Sequence, residues 1–296
     1  MPTDTLQSPR ASEETTLSCG PLQLHLLRVR PIAPPRARLQ IIHGYGEHSS
    51  RYLAFMRWMA DRGVACEAVD LRGQGRSPGP RGFVERWEQY LEDVKAFLDA
   101  PASSEDQALP CFVLGHSHGG LITAAAGEQG LLTSAGVAGC ILCSPYLATR
   151  LPNSLGKRLL AVVANILWPR LKVATGLQQQ WLTSDPEMVR ESRADALLAR
   201  TATPRWYQTM LAARARAVAR AGEFKLPLLC LAGESDIVAD PAATADFFRR
   251  AGSMDKSLYT YPNHLHELLR ETGRERIFAE ILKWMEARGK TGGSAE

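Results

Sequence analysis

Ser117 stands in "GHSHGG" (residues 115–120), after the apolar run "CFVL" and before "GGLITAAAGEQG", which can run as a helix. A serine hydroxyl becomes a nucleophile when a base takes its proton and a carboxylate fixes the tautomer of that base. The G-x-S-x-G pattern between a buried strand and a helix has the form of a nucleophile elbow, with Gly115, Gly119 and Gly120 permitting a sharp turn and close packing. His116 and His118 flank the serine, but neighbouring side chains diverge from the central one in such a turn. Adjacency therefore does not supply the base. The partners of an elbow follow as an acid and then a histidine, each on a loop after a later strand. After "PLLCLAG", the segment "ESDIVAD" offers Asp236 within the loop and Asp240 directly before Pro241. Asp240 has the place of a helix N-cap with proline at the first helical position, which leaves Asp236 as the acid. After "KSLYTY", the segment "PNHLHELL" offers His264 and His266, and local chemistry does not separate them.

Acyl chemistry at a serine also needs two N–H groups aimed at the developing oxyanion. One belongs to the residue after the nucleophile, His118. The second is expected from a glycine-bearing turn after an early strand, and "IIHGYGEHSSRY" makes Tyr45 the candidate. His118 then acts through its amide, with its imidazole beside the pocket.

These loops require an alternating α/β chain to carry them. Short β-branched or leucine-rich runs, "LQLHLLRV", "RLQIIHG", "VACEAVDL", "CFVLGH", "VAGCILCS", "PLLCLAG" and "KSLYTY", alternate with amphipathic stretches such as "WEQYLEDVKAFLDA" and "RERIFAEILKWMEARG". That pattern predicts an open, mostly parallel sheet flanked by helices. The alternation breaks between "SPYL" and "KLPLLCLAG", where about 75 residues hold helix-like segments and no evident strand; an interruption of that length is read as a helical cap. The expected organisation is a polar N-terminal segment at 1–19, a core at 20–146 and 223–289, the cap at 147–222 and a flexible tail at 290–296.

The chain has 296 residues, 45% hydrophobic and 22% charged, with a formal net charge of +4. This is the balance of a globular enzyme, and the scattered arginines give no nucleic-acid stripe. Of the six cysteines, Cys140 and Cys143 spell C-x-x-C, but three residues apart on a strand they face opposite sides and cannot share a metal. The paired histidines of "HLH" lack further ligands for zinc. No metal and no organic cofactor is expected. The polar N-terminus lacks the apolar core of a signal peptide and no run reaches the roughly 20 apolar residues of a membrane span, so a cytoplasmic protein is expected. Nothing specifies an oligomeric state.

Taken together, "HGYGEHSSRY", "VDLRGQGRSPGPRG", "GHSHGG", "AGESDIVAD" and "HLHELLRE" resemble the monoacylglycerol lipase and lysophospholipase branch of the α/β-hydrolases, a serine aminopeptidase-like family. The resemblance covers about residues 20 to 289, including "SDP" at 184–186, and implies an α/β-hydrolase fold with an inserted helical cap. Family motifs put the catalytic histidine just before a run like "ELLRE", which selects His266 over His264. By position, Ser117 is then the nucleophile, Asp236 the acid, and Tyr45 and His118 the oxyanion donors. The chain departs from the family at two of these: the position of Tyr45 is usually smaller and that of His118 is usually methionine. Asp70, Arg72 and Gly73 belong to a structural loop.

The implied activity is hydrolysis of carboxylic esters of monoacylglycerol or lysophospholipid type, through an acyl-enzyme. The acyl chain is expected beneath the cap, against "RLLAVVANILW", with Ile166, Leu167 and Trp168, and "TPRWYQTMLAARARA", with Trp206 and Met210. The first of these, led by Lys157 and Arg158, is too short to span a bilayer but suited to lie in its interface. Two other readings exist. An aminopeptidase or amidase would need a carboxylate for the substrate amine, for which the cap offers Asp185, Glu187, Glu191 and Asp195; an inactive binding module would leave a complete triad without a purpose.

Overall fold

The computed structural model describes residues 12–100, 106, 108–152 and 154–289. The first eleven residues of the N-terminal segment and the tail at 290–296 lie outside the described residues. Among the described residues ten strands are formed: β1 (Ser12–Cys19), β2 (Leu22–Val29), β3 (Ala37–Ile42), β4 (Val64–Val69), β5 (Cys111–His116), β6 (Val137–Cys143), β7 (Val173–Ala174), β8 (Thr201–Ala202), β9 (Leu228–Gly233) and β10 (Lys256–Tyr261). The helices are α1 (Leu53–Ala60), α2 (Glu88–Asp99), α3 (His118–Glu128), α4 (Leu131–Ser134), α5 (Leu155–Leu167), α6 (Pro186–Ala194), α7 (Pro204–Arg220), α8 (Pro241–Arg250) and α9 (Arg274–Glu286).

Eight strands make one sheet in the order β1-β2-β4-β3-β5-β6-β9-β10. β1 and β2 pair antiparallel, as do β2 and β4, and every pairing from β4 to β10 is parallel. Parallel neighbours need helical crossovers on both faces. Two apolar clusters accordingly fill the two sides: Val113, Cys140 and Leu142 point into one with α3, while Phe112, Leu114, Ile141 and Cys143 point into the other with α1 and α9. Cys140 and Cys143 thus lie on opposite faces of β6, as their spacing requires, and all six cysteines are free and buried. This is the α/β-hydrolase fold.

Two elements depart from the expected plan. Ser12–Cys19, within the polar segment read as preceding the core, forms edge strand β1, and only Leu17 and Cys19 of it turn inward. The insertion between β6 and β9 carries α5, α6 and α7 but also a two-stranded antiparallel ladder, Val173–Ala202 and Ala174–Thr201.

Side chains rather than a broad apolar seam fasten the middle of this insertion to the sheet. Arg51, just before α1, donates to Glu267 at 2.6 Å and to Ser192 of α6 at 2.9 Å. His48 meets Asp195 at 2.7 Å, Arg270 meets Glu191 at 3.0 Å, and Arg274 meets Asp185 at 3.0 Å. Ser184 donates to Glu271 at 2.6 Å. On the sheet side, Asp70 accepts from the Ser49 and Arg76 amides and Arg72 pairs with Asp93, consistent with a bracing role for that loop.

The Arg51–Glu267 pair is almost wholly buried on both sides. Removing one member of such a pair strands the other charge, which costs about 3–5 kcal/mol. Arg51→Ala is expected to lose that much unfolding free energy in urea titrations; a loss below about 1 kcal/mol, the range of an exposed pair, would show that the link does not fasten the insertion.

Candidate active site

β5 lies in the middle of the sheet and ends at His116; the chain then reverses into α3, and Ser117 sits at the corner with φ 54° and ψ −115°. A non-glycine residue there carries strain on the order of 1–3 kcal/mol and persists only where its surroundings hold it. Three bonds do so: the Ser117 amide donates to Cys143 O at 3.0 Å, and Ser117 O accepts from the amides of Leu121 at 3.0 Å and Tyr146 at 2.9 Å. The reversal presses α3 against β3, so that a Cβ on Gly119 would stand 2.1 Å from Ile42 O; glycine is required.

The loops after β9 and β10 reach the same point. They are laced together by the Glu234 amide to Tyr261 O at 3.0 Å and the Ser235 amide to His264 O at 3.1 Å. Asp236 is held by its own turn, Oδ1 accepting from the amides of Val238 at 2.7 Å and Ala239 at 2.9 Å. Its Oδ2 is 2.7 Å from His266 Nδ1, and His266 Nε2 is 2.8 Å from Ser117 Oγ. A carboxylate only accepts, so Nδ1 carries the proton and the Nε2 lone pair faces the serine hydroxyl. All three residues are buried. His264 stands outside this relay, its Nδ1 turned to Pro262 O at 2.9 Å. Asp240 caps α8, accepting from the Ala242 amide at 3.0 Å.

The histidines beside Ser117 go elsewhere. His116 Nδ1–H donates to Cys143 O at 3.1 Å and Nε2 faces Glu47 Oε1 at 3.5 Å. Its ring lies 4.9 Å from that of His266. His118 enters an aromatic box of Tyr45, Trp87, Tyr90 and Trp206, with ring centroids between 4.9 and 5.7 Å away. The Trp206 indole N–H approaches His118 Nε2 at 3.4 Å, so Nε2 is the acceptor and the ring is neutral.

Over the serine runs the loop that follows β3. A Cβ on Gly44 would be 3.2 Å from the Ser117 Cβ and 2.5 Å from Glu47 Oε1. His43 Nε2 accepts from the Leu71 amide at 3.0 Å, leaving Nδ1–H to donate to Gly44 O at 2.7 Å. That fixes the Gly44–Tyr45 peptide plane, and the Tyr45 N–H points to the opposite side of it. The Tyr45 hydroxyl donates to Thr201 O of β8 at 2.9 Å.

The apolar cap residues divide. Trp206 and Met210 are buried on the α7 face that packs on α3. Ile166, Leu167 and Trp168 are 72%, 57% and 61% exposed. The reason is that α5 presents only Ala161, Ala164 and Asn165 inward, the last accepting from Arg205 Nε at 2.7 Å.

One group was not singled out in the sequence. Glu47 is buried 3.0 Å from the Tyr52 hydroxyl and 3.7 Å from Arg51 Nε. Burial opposes its ionisation, yet the neighbouring His116 and Arg51 and the Tyr52 bond hold its carboxyl down to about 2. The only sequence hint is the i, i+4 spacing of Glu47 and Arg51 within "GEHSSRY".

Comparison with known proteins agrees with this architecture. Residues 33–273 match the family described as serine aminopeptidase, S33. The chain belongs to this family. Over 245 residues it is 29% identical to phospholipase YtpA of Bacillus subtilis, covering 82% of this chain and 93% of that one. Over 274 residues it is 30% identical to the Homo sapiens monoglyceride lipase, covering 90% and 88%. The crystal structure of the Paleococcus ferrophilus monoacylglycerol lipase superposes with a TM-score of 0.80 at 25% identity, covering 90% of this chain and 99% of that one.

The three site histidines differ electrostatically. Burial works to lower the pKa of His266, but the Asp236 carboxylate at Nδ1, with Glu267 and Glu47 behind it, raises it above the ordinary 6.5. Burial, with His43 nearby, pushes His118 down to about 3, and burial also lowers His116. In an NMR titration the His266 ring is expected to keep its second proton to a pH above 6.5 and to lose it at lower pH in Asp236→Asn, while His118 stays neutral down to about pH 3. A His266 midpoint unmoved by Asp236→Asn would contradict this account of its charge.

Proposed function

We propose that this S33-family chain is a serine hydrolase of carboxylic esters, acting on monoacylglycerol- or lysophospholipid-type lipids. The observation that carries the reading is the continuous relay from Asp236 Oδ2 through the His266 ring to Ser117 Oγ, at 2.7 and 2.8 Å. The names of the relatives, a phospholipase and monoglyceride lipases, support the lipid-ester class.

In this reading Ser117 Oγ attacks the ester carbonyl carbon as its proton passes to His266 Nε2, and Asp236 balances the imidazolium. The carbonyl oxygen becomes an oxyanion, received by the Tyr45 and His118 amides. The His118 amide is the first of α3, whose N-terminus favours negative charge, and the pinned Gly44 carbonyl presets the Tyr45 amide. Collapse breaks the C–O bond, the leaving alkoxide takes the proton from His266, and an acyl-Ser117 remains. A water then gives a proton to His266 and attacks the acyl carbon, releasing the acid and restoring the serine.

Amide hydrolysis from a free amino terminus is less well supported. Asp185, Glu191 and Asp195 pair with Arg274, Arg270 and His48, and Glu187 pairs with Arg190 on the surface. None of the four is left to bind a substrate amine.

Among the described residues no helix is long and apolar enough to cross a membrane. Helix α5 nonetheless leaves Leu155, Leu159, Leu160, Ile166 and Leu167 exposed, and Trp168 directly after it is exposed too. With Lys157, Arg158 and Arg170 at its ends, this face suits peripheral contact with an anionic lipid surface.

Two outcomes test these assignments. Ser117→Ala should lower ester turnover by about a thousandfold or more and abolish fluorophosphonate labelling, and His266→Ala should match it while His264→Ala keeps most activity; labelling of Ser117→Ala, or a dead His264→Ala, would refute the triad. Replacing Ile166, Leu167 and Trp168 together by serine should cut binding to anionic liposomes and leave the melting temperature near that of the wild type. Undiminished liposome binding would remove the membrane role.

A further inference from the structure

On the reading that Ser117 forms an acyl-enzyme, we infer that Trp206 is the acyl-length determinant: its indole, locked between Tyr45 and His118, stands on the His118 flank of the elbow, to which the acyl chain is directed, so that within the ester class proposed above the site favours the shorter acyl groups.

The direction of the chain follows from proton transfer. The leaving oxygen has to lie within reach of His266 Nε2 to take its proton. His116 packs on that side, its ring 4.9 Å from the ring of His266. The acyl substituent of the same carbon is therefore directed to the opposite flank of the elbow, which belongs to His118.

That flank is filled. Trp206 stacks on Tyr45 with centroids 3.7 Å apart at 33°. Its indole N–H faces His118 Nε2 at 3.4 Å. Tyr45 in turn is tied to the cap by its hydroxyl on Thr201 O at 2.9 Å. Behind Trp206 the buried stripe of α7 continues through Met210, Ala213 and Ala217, with the helix seated on α3. An acyl chain extending along α3 has to displace the indole, losing both the ring stack and the hydrogen bond. A short chain ends before it reaches the indole. Neutral His118 keeps its acceptor lone pair because burial holds the ring unprotonated down to about pH 3, so the lock does not open in mild acid.

The test compares wild type, Trp206→Ala and Trp206→Leu with p-nitrophenyl butyrate and p-nitrophenyl laurate, alongside fluorophosphonate labelling and thermal melting. The wild type is expected to prefer butyrate. Trp206→Ala is expected to raise the laurate-to-butyrate ratio of kcat/KM by on the order of tenfold or more, chiefly through a lower KM for laurate. Trp206→Leu keeps an apolar side chain on α3 and should raise the ratio in the same direction, which decides the matter if Trp206→Ala does not melt cooperatively. A purely structural role would depress both esters in proportion; an unchanged ratio in folded Trp206→Leu, or a wild type that prefers laurate, overturns the inference. A folded wild type that takes no fluorophosphonate and hydrolyses neither ester instead overturns the hydrolase reading, and the acyl-length role falls with it.

Discussion

The strained corner at Ser117 is the constraint on which the site depends. A positive φ at a serine is unfavourable in isolation, and here a central parallel sheet makes it persist: β6 supplies Cys143 O, the chain beyond β6 returns Tyr146 N–H, and α3 is anchored by its glycine contact with β3. Because β5 has neighbours on both edges, the corner cannot relax without loosening three strands. The same reversal sends His116 and His118 to opposite sides, so one residue step separates the polar half of the site from the aromatic half.

The two halves are built by different physics. On the His266 side, buried ionisable groups face one another: Asp236 with His266, Glu47 with Arg51 and His116, Glu267 with Arg51. These pairs also bind the insertion to the sheet, since Arg51 reaches α6 through Ser192. On the His118 side there is no such matching, only ring against ring with single hydrogen bonds fixing their orientation. The polar half orients an imidazole; the aromatic half packs ring against ring.

Much of this was legible in the residues. The strands that read as apolar runs all formed; β5, β6 and β9, in the middle of the sheet, are covered on both faces and so are almost continuously apolar, whereas edge strand β10 buries only Tyr261. β1 was not legible for the complementary reason: an antiparallel edge strand with one wet face shows only Leu17 and Cys19 as inward positions. β7 and β8 contribute two residues each, and their pairing is decided by the return of the insertion rather than by local preference. Asp236 could be told from Asp240 by helix-capping chemistry, whereas His266 could be told from His264 only by resemblance. The Arg51–Glu267 pair spans 216 positions, and no periodicity carries information over that separation. The exposure of α5 was equally hidden, since an apolar helix reads the same whether its face meets a core or is left open.

The placement of the cysteines has a practical side. All six are buried in the described fold, and their surroundings raise the thiol pKa, to about 11 at Cys19 and Cys111 and about 12 at Cys230. Only the thiolate reacts readily with maleimides, haloacetamides or peroxide. The native chain is therefore a quiet background for thiol-directed reagents, and a single cysteine introduced on an exposed position of α5, such as Leu160, would be the one site that takes a fluorophore.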